Sequence, residues 1–314
     1  MPASRRALLA SLLGPALASC AAPLPPLDSA TAPGAQALLT ESAAAHGSAA
    51  FAGMADISVS YAGEWGGVVD RLQPELVDAG FRGGSQERLL LQGRMVAQAH
   101  AGPRGRKQVV RRTPAGQQGD VRVWFNGEDT TGTDRRSTNL RGGAALVADA
   151  YSLFLLGPLV LARHWAADRA LAMALAGTGR VRVEGTDHEC DVLRVRVVPG
   201  LGLSEGDDLA LYIDRTARLM RRVRITLNGM EGTRGALAEV DASGHVLHAG
   251  VRWPTRFAER LLRPLPLHVH DWRLTGLDVN RGMTPADVGG PEFTGRAAAA
   301  AHSPSPSPSG RGSG

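Results

Sequence analysis

Between residues 180 and 274 apolar and polar positions alternate almost without interruption. Val181 and Val183 alternate with Arg180, Arg182 and Glu184. Leu193, Val195 and Val197 alternate with Arg194 and Arg196, and Val223, Ile225 and Leu227 with Arg222, Arg224 and Thr226. Leu209, Leu211 and Ile213 lead into Asp214-Arg215-Thr216-Ala217, which reads as a turn, and two further runs cross Val246 to Phe257 and Leu265 to Leu274. A period of two puts alternate side chains on opposite faces of a strand. The stretch Val181 to Leu274 therefore predicts one antiparallel meander, buried on one face and solvated on the other. Val195, Val197, Leu211, Ile213, Val223 and Ile225 fall on the buried face.

The first half carries the same signal more weakly. Ile57, Val59 and Tyr61 alternate with Ser58 and Ser60, and Val121, Val123 and Phe125 with Arg122 and Trp124, before the turn dipeptide Asn126-Gly127. Leu89 to Gln98 reads as a more continuous strand and Gln108 to Arg112 as another. Helical composition appears twice. Gly34 to His46 predicts a helix with Leu38 and Leu39 inward, stopped by Gly47. Glu128 to Gly143 is polar and reads as an exposed loop, after which Ala144 to Ala176 reads as helical, with an apolar run from Tyr151 to Ala162. Leu153 to Leu161 carries no charge; it is too short to span a bilayer of about 30 Å and fits a buried or interfacial helix. Gly157-Pro158 should kink or split it. A helix apolar all round must be covered, by a curved sheet wrapped around it or by lipid. The fold class expected is mainly β (α+β): a curved antiparallel sheet or half-open β-barrel with helices closing its concave face.

The N-terminus changes the picture. Arg5 and Arg6 are followed by an apolar run, Ala7 to Leu17, and then by Leu17-Ala18-Ser19-Cys20. A charged start, a short apolar run and small residues before a cut make a secretory signal. The last four residues resemble the bacterial lipobox. That resemblance implies cleavage before Cys20, acylation of its sulfur and new amine, a mature protein held to the membrane by palmitate-type chains and, with Ala21 rather than Asp next, the outer membrane facing the periplasm. Several acyl chains, at about 0.8 kcal/mol per CH₂, hold firmly where one does not. The expected organisation is a signal peptide over 1–19, an Ala/Pro-rich tether over 20–33, one β-rich domain over 34–290 and, from its Ala, Ser-Pro and Gly content, a disordered tail over 291–314.

Charge and cysteine usage mainly exclude. The formal net charge is +5, and loss of Arg5 and Arg6 leaves 33 basic against 30 acidic residues, or +3. The arginines are scattered along strands, with no dense basic stretch interleaved with aromatics, which disfavours nucleic acid. Of two cysteines, Cys20 is committed to lipid, so Cys190 has no disulfide partner in the mature chain and reads as core, not as a nucleophile.

Three features invite a chemical reading. Gly202-Leu203-Ser204-Glu205-Gly206 matches the nucleophile-elbow pattern, but that motif needs a helix after it, and Asp207 to Asp214 alternates like a strand. His268 and His270 lie two apart with Trp272, with His245 and His248 nearby. No Cys or carboxylate cluster sits at ligand spacing, so polar side chains on the wet face are favoured over a metal site. Glu64 and Asp70 flank Trp65-Gly66-Gly67 with no partner that sequence identifies. No enzyme activity, cofactor or metal is expected.

Short phrases along the meander resemble the LolA/LolB-like lipoprotein-carrier superfamily. Tyr212-Ile213-Asp214, with Leu219 beyond the turn, resembles its strand, Asp turn and strand unit. Gly250-Val251-Arg252-Trp253-Pro254-Thr255-Arg256-Phe257 resembles its G-x-x-x-P-T strand, and Ala45-His46-Gly47 the end of its first helix. The resemblance spans much of residues 35–280 and implies a half-open barrel with an apolar cavity. The chain is expected to bind an acyl chain, lipoprotein or other apolar ligand, and the uncharged Leu153 to Leu161 run beside an apolar sheet face marks Leu155, Leu156, Leu159 and Trp253 as lining residues. The alternative is a non-enzymatic structural or interaction lipoprotein of an envelope complex, its core filled by its own helix.

Overall fold

Thirteen strands build a single antiparallel sheet in the computed structural model of the chain, which describes residues 24, 27, 31–67, 69, 76, 83–130 and 132–293. Cys20 and the tail from residue 294 lie outside the described residues. In chain order the strands are β1 (Asp56–Trp65), β2 (Ser85–Leu90), β3 (Met95–His100), β4 (Arg106–Arg112), β5 (Gln118–Phe125), β6 (Glu128–Asp129), β7 (Ala170–Val183), β8 (Thr186–Val198), β9 (Asp207–Asp214), β10 (Met220–Thr226), β11 (Leu237–Ser243), β12 (Val246–His248), β13 (Val251–Trp253), β14 (Arg256–Arg263) and β15 (Leu267–Val279). The sheet runs β6-β5-β4-β3-β2-β1-β15-β14-β11-β10-β9-β8-β7, with β12 and β13 as a separate hairpin. The two meanders join where β1 pairs with β15, Ile57 opposite Val279. The sheet does not close into a barrel: β6 and β7 are its edges.

The alternating pattern places the core as expected. Val195, Val197, Leu211, Ile213, Val223 and Ile225 are buried together on the concave face, where each large aliphatic side chain contributes about 1.5–3 kcal/mol. Arg194 and Arg196 lie on the opposite face, where Arg194 donates to the Leu209 carbonyl and Arg196 to Asp208 at 2.8 Å. That face is drier than the alternation implied. Glu239 and Asp241 of β11 are buried beneath Arg222, Arg224 and Arg260, which hold the Glu239 carboxyl below its usual range against the opposing effect of burial. Cys190 is fully buried, and burial pushes its thiol up to about 11, which removes the reactive thiolate.

Helices occupy the concave side. The helix α1 (Pro33–His46) stops at Gly47, whose φ of 99° lets its N–H reach the carbonyls of Ala43 and Ala44. A Cβ there would sit 2.2 Å from the Gly250 oxygen, so the stop requires glycine twice over. The central helix (Arg135–Leu156) begins nine residues before the start expected at Ala144. Asp134 caps it, accepting from the N–H groups of Arg136 and Ser137. Its first turn is mostly exposed and polar, and Gly142-Gly143 follow soon after, which is why Glu128 to Gly143 read as loop. At Gly157 the chain turns by 105° into a shorter helical stretch, Pro158–Asp168, with a π-helical turn at Leu161–Trp165. Ala170 to Ala176, expected as helix, is strand β7, because pairing with β8 from Ala170–Val198 onward outweighs the helical preference of Ala, Leu and Met.

Two strand expectations change in detail. Leu89 to Gln98 is not one strand; it is the hairpin β2–β3, turning through Gly93 and Arg94, with Leu90 opposite Met95. The run Val246 to Phe257 splits into the β12–β13 hairpin and the start of β14. Among the described residues no single helix is long and apolar enough to cross a membrane.

Candidate ligand cavity

The central helix fills most of the concave face but leaves a cavity of about 280 Å³ at one end of it. Val147, Ala150, Tyr151 and Phe154 form the helix wall, at the three- and four-residue spacing of one helical face. Ile225 of β10, Ala238 of β11 and Leu261 of β14 form the facing sheet wall, and Trp65 with Val269 flanks it. The small side chains of Ala150 and Ala238 leave the space open; larger residues elsewhere on the same helix and strands meet. Cavities of this kind, apolar with a few convergent polar groups, are the usual form of a small-molecule site.

The polar groups converge at one point. The Tyr151 hydroxyl donates to Glu259 Oε2 at 3.4 Å and lies 3.2 Å from His270 Nδ1. His270 is fully buried in a row of rings. It stacks on Trp65 at 4.0 Å, nearly parallel, and on Trp272 at 4.6 Å; Trp272 stacks on Phe257 at 4.9 Å. The expectation that His268 and His270 share the wet face is corrected here. β14 and β15 slip by one residue between Glu259 and Arg260, so Glu259 pairs with His270 but Arg260 with His268. The bulge reverses the parity of β15 at that point, turning His270 inward and leaving His268 exposed, 3.5 Å from Asp271.

The four expected lining residues lie elsewhere. Leu155, Leu156 and Leu159 are 3%, 1% and 2% exposed within the main core, away from the cavity wall; Leu156 borders a small cleft that also holds Asp149 and Arg169. Trp253 is fully buried on β13, its indole N–H donating to the His248 carbonyl at 3.0 Å. Tyr151 and Phe154 belong to the same apolar run; Leu156, two residues after Phe154, points to the opposite side of the helix. Glu259 and Trp65 carried no signal in the sequence. The spacing Val147, Tyr151 and Phe154 is the one pattern that marks this face.

The remaining chemical candidates resolve as structure. The Ser204 hydroxyl donates to the Gly206 carbonyl at 2.9 Å and accepts from the Gly206 N–H, and strand β9 follows it, not a helix. His245 and His46 approach edge-on with ring centroids 5.9 Å apart. Glu64 sits at the end of β1 opposite Asp271, and Asp70 lies outside the described residues. Among the described residues no group of three or more His, Cys, Asp or Glu side chains is arranged to hold a metal ion.

No protein-family model matches the chain, and no curated protein does. Solved structures do. A DUF1329 family protein from Desulfovibrio piger is 12% identical with a TM-score of 0.47, covering 81% of this chain and 95% of its own. A putative outer membrane lipoprotein-sorting protein domain from Vibrio parahaemolyticus is 10% identical with a TM-score of 0.46, over the same shares of the two chains. The chain is likewise similar in fold to a LolA superfamily protein from Nitrosomonas europaea, at 12% identity and a TM-score of 0.45, covering 81% of this chain and 96% of that one.

Proposed function

We propose that this protein is a lipoprotein of the bacterial envelope that binds an apolar ligand, such as an acyl chain or the lipid part of a lipoprotein, in the cavity beside the central helix. Binding is by burial, without covalent chemistry. The observation that carries the reading is the cavity itself: about 280 Å³ of space walled by Phe154, Ile225, Leu261 and their neighbours, in a region where a protein interior is otherwise close-packed. Residues 1–19 serve as the export signal, Cys20 as the acylated first residue anchored in the outer membrane, and residues 20–33 as the tether to the domain.

The test is to purify the full-length protein from its native envelope and identify co-purifying lipids by mass spectrometry. A defined lipid class enriched over an unrelated lipoprotein handled in parallel is the expected result; parity with that control ends the reading. A second reading has its own observation. Leu153 to Leu161 are all buried, so much of the concave face is filled by the chain itself. In that case the protein is a structural member of an envelope complex, and the same purification recovers a protein partner without enriched lipid.

A further inference from the structure

Strand pairing brings three connections of the C-terminal meander to the end of the sheet where β7 begins. Ala170 of β7 lies opposite Val198, and Val197 opposite Asp207 across the β8–β9 loop. Thr226 and Leu237 close the β10–β11 connection, and Leu261 and Leu267 the β14–β15 turn. The cavity meets solvent at this end: Leu227 and Leu267 on its wall are half-buried, while Ile225 and Phe154 behind them are buried. Two connections hold a leucine outward here. Leu265, 69% exposed, stands between Pro264 and Pro266, whose rings restrict the backbone on either side. Leu203, 46% exposed, tops a tight loop in which the Gly200 N–H donates to the Ser204 carbonyl at 2.9 Å and the Ser204 N–H to the Leu201 carbonyl at 3.1 Å. A single exposed leucine is ordinary. These two are set apart by sharing the end where an apolar cavity opens.

The start of the chain points to what covers them. The Thr31 hydroxyl donates to the Leu171 carbonyl at 3.2 Å and the Ala32 N–H to the Met173 carbonyl at 2.9 Å, so the chain enters the domain along the first residues of β7, at this same end. Cys20 is eleven residues before Thr31, a stretch that reaches at most about 40 Å and spans about 17–20 Å on average. The exposed Val246 and Leu247 of β12 belong to the hairpin at the far end of α1, where Gly47 meets Gly250, about 20 Å further along that helix. Charges at the cavity end offset one another: Arg135 pairs with Glu231 at 3.2 Å, and Asp134 and Glu205 accompany Arg136 and Arg234. Contact at this end is therefore apolar and needs no anionic lipid.

We propose that this end of the sheet rests on the bilayer that holds the Cys20 lipid, with Leu203 and Leu265 inserted into it, so that the cavity opens onto the membrane and an apolar ligand passes between bilayer and cavity without crossing water. The proposal rests on the readings of Cys20 as an anchor and of the cavity as a ligand site.

The experiment uses the full lipidated protein in phosphatidylcholine nanodiscs. A nitroxide is attached to Leu203→Cys, Leu265→Cys or Leu247→Cys; Cys190 is fully buried and Cys20 is acylated, so the introduced thiol takes the label. Oxygen accumulates in the bilayer and a nickel chelate in water, so their relative access to the nitroxide reads its depth. Oxygen-to-nickel ratios several-fold higher at positions 203 and 265 than at 247 are expected. Water-like ratios at all three positions, or a high ratio at 247 alone, overturn the proposal and leave the cavity reading in place. The route is read with a diazirine dodecanol placed in the same nanodiscs. Light should label peptides from the central helix and β14, and labelling should fall several-fold in the Leu203→Glu, Leu265→Glu double variant, whose melting temperature should not change because both side chains are exposed. Unchanged labelling in that variant overturns the proposal alone. No labelling of these peptides in wild type overturns the cavity reading with it, and a Cys20 peptide without acyl mass overturns the anchor reading with it.

Discussion

Asp149, in the middle of the central helix, grips Arg112 of β4 with both carboxylate oxygens, and each side chain is only 8% exposed. The same carboxylate accepts from Arg169, just ahead of β7, and from the Gly202 N–H of the β8–β9 loop. One helical residue thus ties the N-terminal meander to the far edge of the C-terminal one. Replacing Asp149 by Ala leaves two guanidiniums buried without their counter-charge. The expected loss is about 3–5 kcal/mol, read as a fall in urea midpoint. A change within experimental error would show that the two halves are held by the sheet alone.

The cavity and the solid core are separated by a pair of enlargements. Ala238→Leu adds volume where space exists and is expected to reduce ligand labelling while leaving the melting temperature unchanged or higher. Leu159→Trp adds volume where Leu159 is already close-packed and is expected to cost about 1–3 kcal/mol. Equal stability losses in the two variants would contradict this division.

Stability should decline in mild acid because of two histidines. Burial lowers His46 from 6.5 to about 4 and His245 to about 3, each reinforced by nearby Arg221 and Arg252. In the unfolded chain both titrate near 6.5, so between that pH and about 4 the unfolded state binds more protons. Their neutral burial therefore costs nothing above pH 6.5, and stability is lost as pH falls below it, by an amount on the order of a few kcal/mol. Denaturant titrations at pH 7.5, 6 and 5 read this directly. In a His46→Gln, His245→Gln variant the slope over that window should flatten; an unchanged slope would assign the effect elsewhere. Asp214, held down to about 2, loses its contribution only below the ordinary carboxylate value of 3.8 and does not overlap this window.

Asp214 is the centre of the turn after β9. It accepts from the N–H groups of Thr216 and Ala217, from Arg221 and, at 2.8 Å, from His188. Asp214→Ala removes all four partners at once and is expected to cost about 2–3 kcal/mol, measured by thermal unfolding. Asp214→Asn, which keeps the acceptor for the two backbone groups, should recover part of that.

Lipidation at Cys20 has a direct readout. Cells expressing the protein and given a clickable palmitate analogue should label wild type and not Cys20→Ala, and the variant should leave the membrane fraction. Equal labelling of the two would rule out the lipobox reading.

The sequence made the C-terminal meander legible because Val195, Leu211 and Val223 alternate with charged or small residues over strands long enough to set the period. It misled where local preference and tertiary pairing disagree. Ala170 to Ala176 is a good helix sequence recruited as an edge strand by β8. The first turn of the central helix is polar and mostly exposed, and only the cap at Asp134 marks its start. The cavity was legible as a region and not as a set of residues. Which side of the helix, that of Leu156 or that of Phe154, faces open space depends on how large the opposite side chains are. The inward turn of His270 depends on a one-residue slip between strands, which no periodicity within β15 reveals.

The pairing of β1 with β15 has a consequence for biogenesis. Ile57 leaves the ribosome long before Val279, its neighbour across the strand junction. Until the last strand is made, β1 has an open edge and the two meanders are unconnected sheets, so the thirteen-stranded sheet is completed only at the end of synthesis. Neighbouring strands within each meander can pair as soon as they are made, but β1 acquires its second partner only when β15 arrives, so the link between the two halves of the sheet is the last one to form.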